Sequence, residues 1–198
     1  TPRYQSAAGY FCSRRINCHL RILQPNSKGD TMLTKTEAQN LCQKVLKRSG
    51  TNDAELILMV EEDALTRFAN NTIHQNVAEL NLKLTLRMLA GKSSGLATTN
   101  RTDEAALDEL AARALVNAET SPQDPEFIGL AEPSEYPQVN SLDQVTAGYS
   151  PEQRATEVGV VCRLAKEKGL NASGAFSTGY SEIAVANTRG VFAYHAAT

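Results

Sequence analysis

The chain has 198 residues, of which 41% are hydrophobic and 21% charged, and its formal net charge is −2. This length and composition suit one globular domain, and no apolar run approaches the roughly 18 residues that would predict a transmembrane helix, which argues against a membrane protein. Residues 1–31 contain five basic residues and one acidic residue, so the remainder carries −6. An acidic body without a basic stripe argues against nucleic acid as a ligand.

Residues 1–31 differ in pattern from the rest of the chain. They mix basic residues with Pro and Asn and show no sustained period, whereas periodicity begins just after Met32. We therefore expect residues 1–31 to be a non-native or disordered extension and residues 32–198 to be the domain. The four cysteines are scattered and too few for a disulfide scaffold, which predicts reduced thiols and a cytoplasmic protein.

Three helices are predicted in chain order. The first begins at Thr34, where Thr34 and Glu37 form a capping box, and the second begins at Thr102. The third begins at Ser150, which is followed by a proline at the first helical position and by Gln153. Between the second and third helices, residues 120–149 lose all periodicity and contain several prolines, so we expect a long loop or linker there.

The strands are predicted from apolar runs and from alternation. Residues 54–60 form a nearly continuous apolar run, which is typical of a strand buried on both faces. Residues 80–88 alternate between apolar and polar side chains, as in a strand with one buried face, and residues 93–99 return as a hairpin partner. Short strands are expected at 172–178, 182–187 and 191–194. The fold class is therefore α+β, with a largely antiparallel or mixed sheet covered by about three helices.

Two apparent catalytic signals fail on their context. Residues 91–95 match the G-x-S-x-G pattern, but a nucleophile elbow needs a strand-to-helix turn and this segment lies between two strands. His74 and His195 are the only histidines after residue 31, and two histidines alone do not make a zinc site. The sequence thus predicts no catalytic residue and no metal ligand in this chain.

Residues 65–76 are the densest run of hydrogen-bonding side chains in the chain. They hold one Arg, one His and four side-chain amides between two predicted strands. Segments so rich in hydrogen-bonding side chains usually bind a ligand. The candidate binding residues are Arg67, Asn70, Asn71, His74 and Gln75. The alternative interpretation is that the amides only cap strand ends and satisfy backbone groups, as Asn commonly does in turns.

Three segments together carry a family resemblance. They are residues 65–76, Ala97-Thr98-Thr99-Asn100 before a helix, and the run from Ser181 to Gly190, in that order and with a Pro-rich stretch between. Across about residues 32–198 they resemble the N-terminal domain of the TldD/PmbA family of zinc metallopeptidases, on its PmbA/TldE side.

The resemblance implies a function for a longer protein. In that family, catalysis is attributed to a His-Glu-x-x-x-His helix in the C-terminal half, which this chain does not contain. The chain would then need no cofactor of its own, with zinc possible in the missing half, and would be inactive alone. It would act as the substrate-side domain for unfolded peptides, in a homodimer or heterodimer with a TldD/PmbA-family subunit. The alternative is a non-catalytic partner subunit or peptide-binding module without any metal site.

Overall fold

The computed structural model describes residues 33–50 and 53–198. The extension expected at residues 1–31 lies outside these ranges. Within them the chain forms a five-stranded antiparallel sheet with four α-helices on it, so the α+β class is confirmed. The order of the strands in the sheet is β3-β2-β1-β4-β5.

The sheet and its helices are built from nine main elements and one short turn. The helices are α1 (Lys35–Leu46), α2 (Glu104–Thr120), the short α3 (Gln144–Ala147) and α4 (Pro151–Glu167), and a 3-10 turn at Lys47–Ser49 comes directly after α1. The strands are β1 (Ala54–Ala69), β2 (Thr72–Ala90), β3 (Ser93–Thr99), β4 (Gly174–Asn187) and β5 (Phe192–Ala197).

The core lies between one face of the sheet and the helices. Alternate residues of β1, among them Leu56 and Leu58, are buried, and so are Leu84 and Leu86 of β2. These side chains meet the apolar stripes of α1 and α2, and burial of each leucine contributes roughly 1.5–3 kcal/mol. The alternation predicted for residues 80–88 is therefore confirmed, and we call this side of the sheet the covered face.

Burial of residues 54–60 on both faces was a wrong prediction. Ile57 and Met59 point to the opposite side of the sheet, which we call the open face, and they are only half-buried. The helices that contribute to the core all lie on the covered face. The apolar run at residues 54–60 therefore has one fully buried face and one partly exposed face.

The capping signals set the helix starts. The capping boxes of Thr34 with Glu37 and of Ser150 with Gln153 are both present, with Pro151 at the first turn of α4. The cap of α2 is Asp103 rather than the predicted Thr102, because the Asp103 carboxylate accepts a hydrogen bond from the Ala106 N–H at 3.1 Å. A carboxylate at that position also favours the positive end of the helix.

The strands are longer than their sequence patterns predicted. β1 and β2 run past the apolar segments to a two-residue turn, and the single strand β4, Gly174–Asn187, replaces the two strands expected at 172–178 and 182–187. β4 pairs with β1 without interruption from Gly174, opposite Phe68, to Asn187, opposite Glu55. Ladder hydrogen bonds come from the backbone, so pairing can extend a strand where the side-chain pattern has ended.

Candidate functional site

The segment at residues 65–76 is the tip of a long hairpin rather than a loop. The hairpin of β1 and β2 over residues 61–83 pairs with the beginning of β4, residues 174–180. These residues form a three-stranded extension of the sheet, which we call the arm. Asn70 and Asn71 form its turn with φ of 51° and 56°. A two-residue hairpin turn of this hand needs positive φ at both positions, and asparagine tolerates it better than most residues do.

The side chains of both turn asparagines are held by the connection between α4 and β4. Asn71 Nδ2 donates to the Leu170 carbonyl at 2.8 Å, and Asn71 Oδ1 accepts from the Ala172 N–H at 2.7 Å. Asn70 Oδ1 accepts from Asn171 Nδ2 at 2.9 Å. These amides therefore hold the tip of the arm against residues 170–172.

The other three candidates face outwards. Arg67 and Gln75 lie opposite each other on the open face, and their side chains are 3.5 Å apart at the closest nitrogen and oxygen. His74 is the extra residue at a β-bulge, without a cross-strand partner on β1, and its side chain is exposed. Bulges commonly re-aim a side chain near a functional site. Arg67 and Gln75 are thus brought together on the open face, and the exposed His74 lies next to Gln75 in the chain.

Next to these residues lies a long unpaired strand edge. β2 pairs with β3 only over Leu84–Ala90, and within the described ranges no strand pairs with the outer side of residues 72–83. The Leu89 N–H donates to the Asp53 carbonyl at 2.9 Å, so Leu89 and Asp53 form a hydrogen-bonded pair. Hydrogen-bonded and non-hydrogen-bonded pairs alternate along the β1–β2 ladder from this point. Odd-numbered residues from Gln75 onwards then bond to β1, while even-numbered residues direct their N–H and carbonyl groups outwards.

Two hydrogen bonds through the side chain of Asn76 connect the arm to α4. Thr66, which is fully buried, donates to Asn76 Oδ1 at 2.9 Å, and Asn76 Nδ2 donates to the Pro151 carbonyl at 3.1 Å. Neither residue was among the sequence candidates. Their position in the same polar run was the only available signal, and it does not distinguish a structural amide from a binding one.

The middle part of the arm's open face is acidic. Glu61, Asp63 and Glu79 are exposed there, and Asp63 lies directly opposite Glu79 in the β1–β2 register. Like charges at such a position destabilise a sheet slightly. Arg67 lies further out, towards the tip, so the charge on this face changes sign along the arm.

A buried carboxyl on the covered face had no sequence signal. Glu182 of β4 is 2% exposed and accepts a hydrogen bond from the Tyr180 hydroxyl, while the Tyr194 hydroxyl donates to the Leu33 carbonyl at 3.0 Å. Burial raises the pKa of Glu182 above its ordinary value, an effect that the Tyr180 hydroxyl and the Leu33 N–H oppose and that Glu37 reinforces. Glu182 occupies one of the alternate positions of β4 whose side chains face the core, so the pairing of β4 with β1 buries it.

Cys42 is a buried thiol of the core. Burial raises the pKa of Cys42 to about 11, so it stays a neutral core thiol rather than a nucleophile. Across residues 33–50 and 53–198, no three His, Cys, Asp or Glu side chains are grouped as metal ligands would be. In the same ranges, no helix combines the length and apolarity needed to cross a membrane.

Comparison with known proteins gives one family match. Residues 54–118 match the family model described as PmbA/TldA metallopeptidase domain 1. This range contains the arm of β1 and β2, β3 and nearly all of α2. No curated protein matches the chain.

Solved structures with the same fold cover most of the chain. TldE from Thermococcus kodakarensis aligns with 81% of this chain at 20% identity and a TM-score of 0.69. A protein from Bacteroides thetaiotaomicron, described as a proposed modulator of DNA gyrase, aligns with 83% of this chain at 16% identity and a TM-score of 0.69. The alignments span 36% and 39% of those chains, so this chain has the fold of little more than a third of each.

Proposed function

Because the chain carries an N-terminal domain of the TldD/PmbA type, we propose that it is the substrate-side domain of a metallopeptidase system that acts on unfolded peptides. In this proposal the chain works in the cytoplasm with a C-terminal half, and with a second TldD/PmbA-family subunit as a homodimer or heterodimer. The described residues offer no ligand set that fits a zinc ion. In this proposal the metal and the hydrolytic step belong to a C-terminal half.

The unpaired edge of β2 is the observation that carries the proposal. An extended peptide can add to such an edge as a further strand, and most of its affinity then comes from main-chain hydrogen bonds. Main-chain recognition depends little on sequence, which suits unfolded peptides as substrates. Asn76, Ala78, Leu80 and Leu82 are the edge residues whose backbone groups face the incoming strand.

The exposed side chains near the tip would complete the site. Arg67 and Gln75 lie on the open face and His74 at the bulge, where they can donate to peptide carbonyls. Asn70 and Asn71 contribute differently, because their amides hold the tip against residues 170–172. We assign them a role in positioning the arm.

A non-catalytic partner subunit or peptide-binding module is the second candidate function. It needs no metal site, and it would use the same edge of β2. The coding sequence beyond Thr198 distinguishes the two functions. A His-Glu-x-x-x-His segment there supports the metallopeptidase, and a full-length protein without one supports the module.

The test uses proline at the edge. Ala78→Pro removes one outward N–H and leaves the β1–β2 hydrogen bonds intact, whereas the matched control Ala78→Ser keeps the N–H. Binding of a fluorescein-labelled, unstructured peptide to the full chain is followed by anisotropy. We expect Ala78→Pro and Arg67→Ala each to weaken binding by about 0.5–1.5 kcal/mol per lost hydrogen bond, or roughly two- to tenfold. Wild-type affinity in both variants would refute the proposal.

A further inference from the structure

A groove of about 470 Å³ lies at the opposite edge of the sheet, beside β5. One wall is the edge of β5 at Tyr194, His195 and Ala196, and the other is the loop segment 136–142. None of the sequence candidates lies near it. The backbone of β5 determines what the groove can bind.

The hairpin between β4 and β5 shows which backbone groups face the groove. The Asn187 N–H donates to the Val191 carbonyl at 3.1 Å, so these two residues form a hydrogen-bonded pair. The β4–β5 register continues from that pair, and hydrogen-bonded pairs alternate along an antiparallel ladder. Ala193 and His195 therefore bond to β4, whereas Phe192, Tyr194 and Ala196 direct their N–H and carbonyl groups away from β4, and the groove lies beside Tyr194 and Ala196.

The loop satisfies the outward groups at both ends of this edge. At one end, the Tyr136 hydroxyl donates to the Phe192 carbonyl at 3.4 Å and accepts from the Tyr194 N–H at 3.3 Å. At the other end, Ser141 forms a parallel bridge with Ala197 and accepts from the Thr198 N–H at 3.0 Å. Between these two anchors, no hydrogen bond joins loop residues 137–140 to β5 in the described structure.

One donor and one acceptor remain between the anchors. The Tyr194 carbonyl and the Ala196 N–H both face the groove, on either side of His195, and no residue in the described ranges bonds to them. A neighbouring strand that runs parallel to β5 can use both groups. In a parallel pair, one residue donates its N–H to the residue before its partner and accepts, at its carbonyl, the N–H of the residue after its partner. Ser141 has that relation to Ala197, two residues further along the strand.

We propose that this groove binds one residue of an extended peptide that runs parallel to β5, opposite His195. The N–H of that residue donates to the Tyr194 carbonyl, and its carbonyl accepts from the Ala196 N–H. The site depends on the main chain alone and lies at the other edge of the sheet from the arm. It is therefore independent of the function proposed for the edge of β2.

The experiment is an NMR titration of the full chain labelled with ¹⁵N. The probe is the blocked tripeptide N-acetyl-Ala-Val-Ala-methylamide, and the matched control peptide carries an N-methyl group on valine. Titrations use the Ala78→Pro background, which weakens competition from the edge of β2, and the Ala196 amide reports binding in the groove separately from binding at that edge. We expect saturable shifts at the Ala196 amide with the probe and at least tenfold weaker binding of the N-methylated peptide.

A protein variant tests the donor. Ala196→Pro removes the outward N–H and leaves the bonds to β4 in place, whereas Ala196→Gly keeps the N–H. We expect the proline variant to lose binding and the glycine variant to keep it, each with an unchanged far-UV circular dichroism spectrum. The N-methylated peptide gives the same information without any change to the protein, so a misfolded proline variant does not leave the question open.

Three outcomes would overturn the proposal. The first is that the Ala196 amide does not shift at millimolar peptide, and the second is that the N-methylated peptide binds as tightly as the probe. The third is a shift of Ala196 that depends on protein concentration without peptide, because a second copy of the chain would then occupy the groove.

Discussion

Glu182 shows how a single buried group makes stability depend on pH. Its carboxyl lies among Tyr180 and Tyr194 of the sheet and Glu37 of α1, and burial is the main reason for its raised pKa. Below the ordinary pKa of glutamate, the carboxyl is protonated in both the folded and the unfolded chain. As the pH rises above that value, the unfolded chain releases the proton first, so the folded state loses stability up to the folded pKa.

Replacement of Glu182 by Gln should remove this loss of stability. The amide keeps the shape and can accept a hydrogen bond from Tyr180, but it does not ionise. The free energy of unfolding should therefore fall less with pH in Glu182→Gln than in the wild type, by at most about 1.4 kcal/mol per pH unit. Urea denaturation at several pH values, from below the ordinary glutamate pKa to neutrality, measures the difference. Parallel stability curves would show that Glu182 does not titrate as described.

At the scale of single elements, Gly95 explains a motif that resembled a catalytic one. It lies in β3 directly under α2, and a Cβ atom there would overlap the backbone at Ala114 and Ala118. The glycine at the end of Gly91-Lys92-Ser93-Ser94-Gly95 thus allows a helix to approach a strand closely. Its role is packing, which agrees with the strand-to-strand context of the motif.

Gly95→Ala should be destabilising, while the same substitution at Gly159 should not. Gly159 lies within α4 and a Cβ there would meet no atom within 4 Å. We expect Gly95→Ala to cost about 1–3 kcal/mol or more, because α2 must move. Gly159→Ala should stabilise by roughly 0.5–1 kcal/mol, since alanine favours the helix. Chemical denaturation of both variants measures this contrast, and equal effects at the two sites would contradict the close approach of α2 to β3.

A second pair of variants tests the two faces of β2. Leu84 is fully buried on the covered face, whereas the neighbouring Lys83 is exposed on the open face. Leu84→Asp places an unpaired charge in the core and should lower the free energy of unfolding by several kcal/mol, on the order of 4. Lys83→Asp introduces the same side chain and should change it by about 0.5 kcal/mol or less. Similar melting temperatures for the two variants would show that the faces are assigned wrongly.

On the scale of the whole molecule, the helices cover only the proximal part of the sheet and one side of the arm. α1 and α2 lie over the buried ends of β1, β2 and β4, and α4 reaches the arm near Asn76. The open face keeps apolar side chains such as Leu96, 55% exposed, and Ile183, 39% exposed. The segment expected as a loop at residues 120–149 contains the end of α2 and the short α3, and its irregular part follows the sheet edges, where Gln123 caps the β2–β3 turn and Ser141 bridges to β5.

As a whole, the chain should bind no stoichiometric zinc and should not cleave peptides by itself. The reason is the small supply of ligands, because His74 and His195 are the only histidines after residue 31 and they lie far apart in the sheet. Elemental analysis after dialysis against zinc measures the first expectation, and a quenched fluorescent peptide measures the second. One tightly bound zinc per chain would place a metal site in this domain and overturn the proposal that the chemistry belongs to a C-terminal half.

Features with a local cause could be predicted from the sequence. The capping residues Thr34 and Ser150 set two helix starts, and the alternation at residues 80–88 set the buried face of β2. These features depend on hydrogen bonds and periods within a few residues, which any sequence displays directly. The resemblance of residues 65–76 to a family signature also came from local identity, and the family match over residues 54–118 agrees with it.

Features that depend on distant partners needed the tertiary fold. Strand pairing extended β1 to Ala69 and β4 through residues 174–187, because backbone hydrogen bonds do not depend on side-chain type. The fold also separated the amides of Asn70 and Asn71, which bond to residues 170–172, from Arg67, His74 and Gln75, which face outwards. The hydrogen-bond partners of the two asparagines lie about a hundred residues away in the sequence. Residues 65–76 alone therefore cannot show which of their side chains are structural and which are free to bind.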